Sequence, residues 1–180
     1  MSTVHKAVAT VVTAAALLGT AVAISTPAQA ATSLHCKTTT HTFALPGKPD
    51  VKVGVELCVE RTYVTSDGYR HYKAWINKVS WDGTSSWYIG GDRFNDFSIL
   101  PRLEHSSTRV EDCDYGICGY TQAATNINKT EKGSYSPKLS AVYVKTKKKT
   151  WTADGFVDYD ISDDGKPTRT WQLNGTAAVS

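Results

Sequence analysis

An excess of charge of either sign is missing from this sequence. Across 180 residues, 20 Lys and Arg stand against 17 Asp and Glu, a formal net charge of +3. A nucleic-acid-binding chain normally carries a concentrated basic stripe. The one basic cluster here, KTKKKT from Lys145 to Thr150, lies between two strand-like runs and reads as a solvated hairpin tip. Nucleic acid is therefore not an expected partner. Catalytic signatures are equally scarce: there is no GxSxG elbow, HExxH helix or phosphate-binding glycine loop. No CxxC pair occurs, and His35, His41, His71 and His105 are irregularly spaced, so a metal centre is not expected. Convincing helical periodicity, internal repeats and an interdomain linker are also missing. Paired carboxylates of a glycoside hydrolase meet only in space, which leaves a small secreted hydrolase as the third reading, behind two that are not enzymes.

The first thirty residues carry one recognisable address. His5 and Lys6 precede a run from Ala7 to Ile24 that is apolar or Thr/Gly throughout, and Ala28-Gln29-Ala30 supplies the small-x-small site of a signal peptidase. About 18 residues is the lower limit for a membrane span, and no basic stop-transfer flank follows. A cleaved secretory signal over residues 1–30 and a released, extracellular domain over 31–180 are expected, with no stable membrane anchor. The mature chain then has 180 − 30 = 150 residues, enough for one domain with a real core. Four cysteines in an exported chain should be oxidised.

Alternation fixes the fold class. Val51, Val53, Val55, Leu57 and Val59 are apolar at period two, with Lys52, Glu56 and Glu60 between them, the pattern of a half-buried strand. A hairpin turning at PGKP, residues 46–49, sets Phe43 opposite Val51 and Cys36 opposite Cys58, which predicts a Cys36–Cys58 disulfide. A second turn at TSDG, residues 65–68, sets Val59 opposite Ala74, Leu57 opposite Ile76 and Glu60 opposite Lys73. Apolar then meets apolar and acid meets base. Trp75 falls opposite Cys58, and His71 near Thr62. Counting by parity puts Trp81 on the same side as Trp75, with the core as its expected fate. LSAVYVKTK, WTADGFVDYDI and PTRTWQL read as three further strands joined by the Lys-rich tip and by SDDG, with Val157 opposite Trp171 and Gly155 opposite Leu173. FSILPRLEH reads as a strand and YTQAATNINKT as a weaker one. The expectation is an all-β antiparallel sandwich, an Ig-like or jelly-roll-like meander of about seven to nine strands, with a small β-barrel as the alternative.

Three stretches are candidates for function. SWDGTSSWYIGGDRF, residues 80–94, places Trp87 and Tyr88 before a Gly-Gly turn, with Asp82 and Asp92 nearby. Adjacent residues of a strand face opposite ways, so one of the two aromatics should be exposed. A flat apolar ring beside carboxylate acceptors suits sugar recognition. A binding module for carbohydrate or a cell-surface polymer, with Trp87, Tyr88, Asp82 and Asp92 as its contacts, is the leading expectation. CDYGIC, Cys113 to Cys118, would close a rigid loop through its own bridge and present Asp114, Tyr115 and Ile117. A secreted inhibitor or protein-interaction module acting on another secreted protein is the rival. Finally, Asp160, Ser162 and Asp164, followed by Gly165, copy the first half of a calcium loop. Trp171 stands where the loop's closing Glu belongs, so a polar hairpin turn is the preferred reading and no cofactor is expected.

Overall fold

The computed structural model describes residues 33–83, 91–110, 120–137 and 141–180. Residues 1–30 expected to form a leader, Trp87 and Tyr88, and residues 113–118 expected to close a loop, with Asp114, Tyr115 and Ile117, all lie outside the described residues.

The N-terminal third folds as its turns dictate. β1 (Leu34–Phe43) and β2 (Val51–Val64) pair with Phe43 against Val51 and Cys36 against Cys58, and the disulfide between those cysteines is formed. β3 (Arg70–Gly83) follows with Glu60 against Lys73, Val59 against Ala74, Cys58 against Trp75 and Leu57 against Ile76. The next long strand, β4 (Phe94–His105), opens a second sheet. Short segments then decorate both sheets: β5 (Thr108–Val110), β6 (Thr121–Gln122), the helix α1 (Ala124–Lys129) and β7 (Lys132–Tyr135). β8 (Ala141–Thr146), β9 (Thr152–Ile161) and β10 (Arg169–Gln172) complete the chain. The first sheet runs β1-β2-β3, and β7 and β8 pair successive halves of the free edge of β3. The second runs β10-β9-β4, with β5 and β6 sharing the free edge of β4.

The two five-stranded antiparallel sheets form a sandwich rather than a closed barrel. Between them lie the period-two residues Val51, Val53, Val55, Leu57 and Val59 of the first sheet and Phe97, Ile99, Leu103, Ala153 and Val157 of the second, all buried. The ten strands among the described residues exceed the expected seven to nine because β5, β6 and β7 have two to four residues each, too few to show alternation.

Four local expectations need correction. Lys145 to Thr150 is not a hairpin tip: β8 pairs β3, while β9 pairs β4 and β10, so the basic segment crosses from one sheet to the other. Alternation reveals that a strand exists but not which partner it takes. The stretch YTQAATNINKT is a two-residue strand followed by α1, whose single turn buries Ala124 and Ile127. Trp75 and Trp81 do not share a face, because a register shift beside Glu56 and Leu57 inserts one extra residue into β3. Trp81 therefore pairs with Val53 and is core, 6 % exposed, while Trp75 lies on the outer face with Cys58. A second shift past Arg61 sets His71 against Tyr63, whose ring it stacks on at 3.9 Å, instead of against Thr62. The C-terminal register holds: Val157 faces Trp171, and Leu173 N–H donates to Gly155 O at 2.9 Å.

The Trp81 indole reaches across the sheet onto the backbone of Gly133. A Cβ added at Gly133 would lie 2.4 Å from the ring, so only glycine fits there. The indole N–H donates to Thr130 O at 3.1 Å.

The disulfide joins positions 22 apart in sequence, and loop-closure entropy for that span gives about 3 kcal/mol. Replacing Cys36 and Cys58 together by alanine should lower the urea-unfolding free energy by about that amount. A midpoint equal to the unsubstituted protein's would show that the bridge adds no stability.

Candidate functional site

The bulges and turns that shape β2 and β3 give the first sheet a long outer face. Each strand has 14 residues, about 45 Å at roughly 3.3 Å per residue. Reading the ladder across from β1, the outward positions form successive rows. Thr42, Lys52, Asp82 and Lys132 make one row; Thr40, Gly54, Ser80 and Ser134 make the next. Thr38, Glu56 and Lys78 follow, then Cys36, Cys58, Trp75 and Ala141, then Leu34, Glu60, Lys73 and Tyr143, and His71 with Lys145 lies beyond.

The second row is made of small residues, and it forms a trough. Gly54 is its floor: a side chain there would meet Ser80 Oγ at 2.9 Å and the methyl groups of Thr40 and Thr38 at 3.5 and 3.6 Å. The resulting groove has a volume of about 400 Å³ and is lined by Thr40, Lys52, Gly54, Lys78, Ser80, Asp82, Lys132 and Ser134, with Trp81 and Gly133 beneath. Asp82 is exposed and pairs with Lys132 Nζ at 3.0 Å. Hydroxyls thus line the floor, one carboxylate stands at the rim, and three ammonium groups surround it.

Aromatic surface lies further along the same face. Trp75 sits four residues from Gly54 along the ladder, about 13 Å away. Lys73 Nζ lies over its indole, 4.7 Å from the ring centroid, and 6.0 Å from the centroid of Tyr143. Tyr143 is 52 % exposed. The outer face of the second sheet has a different character. Its outward positions include Asp96, Glu104, Asp154, Asp158 and Asp160, with Arg102 bridging Glu104 at 2.7 Å and Asp154 at 3.1 Å.

The sequence-predicted residues separate on this scaffold. Asp82 lies in the groove of the first sheet. Asp92 instead lines a different depression with Phe94, Asn95, Thr125 and Asn128, and its backbone carbonyl accepts from Lys48. Asp160 and Ser162 converge on Asn95, at 3.0 and 2.9 Å, whereas Asp164 is engaged by Lys166 N–H at 2.9 Å and by the Arg169 guanidinium. The Lys166 N–H, together with Arg169, holds the Asp164 carboxyl below the usual carboxylate range despite some desolvation. No group of three or more His, Cys, Asp or Glu able to hold a metal ion occurs among the described residues.

Sequence reasoning missed Gly54, Ser80, Lys132 and Ser134. One signal was available: a lone glycine inside the alternating run VKVGVEL marks close approach or a gap in a strand's surface. No helix among the described residues is long and apolar enough to cross a membrane. A disulfide such as Cys36–Cys58 persists in oxidising surroundings, which fits an extracellular protein. The chain matches no family model, no curated protein and no solved structure.

Proposed function

We propose that the protein is exported and binds an extended carbohydrate, or a related cell-surface polymer bearing anionic groups, along the outer face of its first sheet. The observation that carries this reading is the Gly54 trough, bordered by the hydroxyls of Thr40, Ser80 and Ser134. Hydroxyls and one carboxylate at fixed positions offer both donors and acceptors to a sugar's own hydroxyls. Lys52, Lys78 and Lys132 supply cations for carboxylate, sulfate or phosphate substituents. Tyr143 offers a flat apolar ring further along the strand direction, suited to the face of a second sugar unit. The face that carries the trough is built on 14-residue strands, which suits a chain better than a compact small molecule.

Two substitutions test the reading. Gly54→Val fills the trough, and the nearest obstacle is the movable Ser80 hydroxyl. It should weaken binding to immobilised acidic polysaccharide or cell-wall material by at least about tenfold. Gly54 is itself buried, so a stability cost of about 1 to 3 kcal/mol is expected beside it. Tyr143→Ala, at an exposed position, should weaken binding by a similar factor with stability little changed. The reading fails if the protein retains none of these polymers in affinity electrophoresis, or if both variants bind as tightly as the unsubstituted chain.

A further inference from the structure

We infer that β1 is a docking edge for a second copy of this chain, joined by antiparallel pairing of β1 with itself about a two-fold axis at Thr38. β1 is the outermost strand of the first sheet. Arg61 N–H donates to Ser33 O at 3.2 Å, and antiparallel ladders alternate hydrogen-bonded with non-bonded pairs. Carried along the unbroken β1–β2 register, this alternation turns the backbone groups of the odd-numbered residues, His35 to Phe43, toward β2. Those of Leu34, Cys36, Thr38, Thr40 and Thr42 point away from the sheet. They have no partner among the described residues, and all five residues are exposed.

Natural edges this long are normally blunted by proline, a bulge or several charges. β1 has no proline and no register shift, and Lys37 is its single Lys or Arg, with no Asp or Glu. The disulfide ties the strand to β2 on one face, and Thr39 Oγ1 accepts from Asn174 N–H at 2.9 Å on the other, so the edge is held in place.

The pattern of the strand selects a second copy as the occupant. A two-fold axis through Thr38 sets Leu34 against Thr42 and Cys36 against Thr40, so every outward N–H and C=O meets a mate. Lys37 then faces Thr39, and the strand's only ammonium group avoids its own copy. Thr38 faces Thr38, a favourable cross-strand pair. The two first sheets become continuous. Because Thr38 and Thr40 border the Gly54 trough, two grooves then lie on one surface.

Analytical ultracentrifugation of the full mature chain, without any polymer, tests this directly. The expected result is a two-chain mass that dissociates on dilution. Thr38→Pro removes an outward N–H while leaving every β1–β2 bond, and Thr38→Lys sets two ammonium groups face to face; each should weaken association by at least about tenfold. Thr38→Cys should form a cross-chain disulfide in air, since hydrogen-bonded pairs stand about 5.5 Å apart. Thr42→Cys, opposite Leu34, should not. Gly54→Val should leave the mass unchanged, which separates this inference from the binding reading. A one-chain mass up to the solubility limit overturns the inference, as does a dimer indifferent to both Thr38→Pro and Thr38→Lys.

Discussion

Arg93→Met is expected to destabilise the fold by about 3 kcal/mol, because it removes a buried charge that two carbonyls depend on. Arg93 is 4 % exposed and donates from Nη1 to Ile127 O and Thr130 O, each at 2.6 Å. Those oxygens belong to the last turn and the C-cap of α1, where the partial negative end of the helix favours a cation. A six-residue helix is far too short to persist by itself, so its position depends on such anchors. Thr130 O also accepts from the Trp81 indole, and Asn128 clasps the other side. Its Oδ1 accepts from Arg93 N–H and Phe94 N–H at 3.0 and 3.1 Å, and its Nδ2 donates to Phe94 O at 2.9 Å. Methionine fills similar volume but satisfies neither carbonyl. Urea unfolding gives the magnitude, and hydrogen exchange should show the amides of α1 opening before those of β2. A variant within about 1 kcal/mol of the unsubstituted protein would mean that water replaces the guanidinium at little cost.

Phe43→Ala should cost more, about 4 kcal/mol, within the range for emptying an aromatic site in a packed core. Phe43 is 2 % exposed and closes β1 against the second sheet. Its ring meets Phe94, Phe97, Tyr159 and Trp171 edge-on, with centroids 5.2, 5.6, 4.9 and 5.8 Å away. His41 packs on the same ring at 4.5 Å. These rings come from β1, β4, β9 and β10, so alanine leaves a void that no single strand can collapse to fill. Edge-to-face pairs contribute about 0.5 to 1.5 kcal/mol each beyond burial. Phe43→Leu should recover roughly half of the loss. If Phe43→Ala melts with the unsubstituted protein in a calorimeter, the ring cluster is not the hinge of the sandwich.

The contrast between legible and illegible parts follows from range. The β1–β2 register, and the β2–β3 register between its two shifts, were readable because a turn and an apolar period lie close together in sequence. The partner of β8 was not, since Val142 and Val144 alternate identically whether they face β3 or β9. Trp81 reached its expected place by an unforeseen route: one extra residue, Asn77, reverses parity, and no composition rule announces a bulge. Of the candidate site, Asp82 was visible as a carboxylate near aromatics. Gly54, Ser80 and Ser134 were not, because each is ordinary where it stands and they become a trough only when three strands lie side by side. The aromatic pair that drew attention in sequence lies outside the described residues, while Trp75 and Tyr143 hold the first sheet's surface.

The opposite signs on the two outer faces have a kinetic consequence. On one, Lys52, Lys73, Lys78, Lys132 and Lys145 outnumber Glu56, Glu60 and Asp82; on the other, Asp96, Glu104, Asp154, Asp158 and Asp160 outnumber Arg102 and Arg109. A molecule with little net charge thereby carries a dipole from one sheet's outer face to the other's. Near an anionic surface of the kind proposed above, that dipole would experience a torque turning the groove toward the surface before any contact forms. Orientation of this kind raises the fraction of productive encounters and fades as salt shortens the screening length, about 8 Å at physiological ionic strength. Capture from dilute solution should therefore slow with added salt more than release quickens.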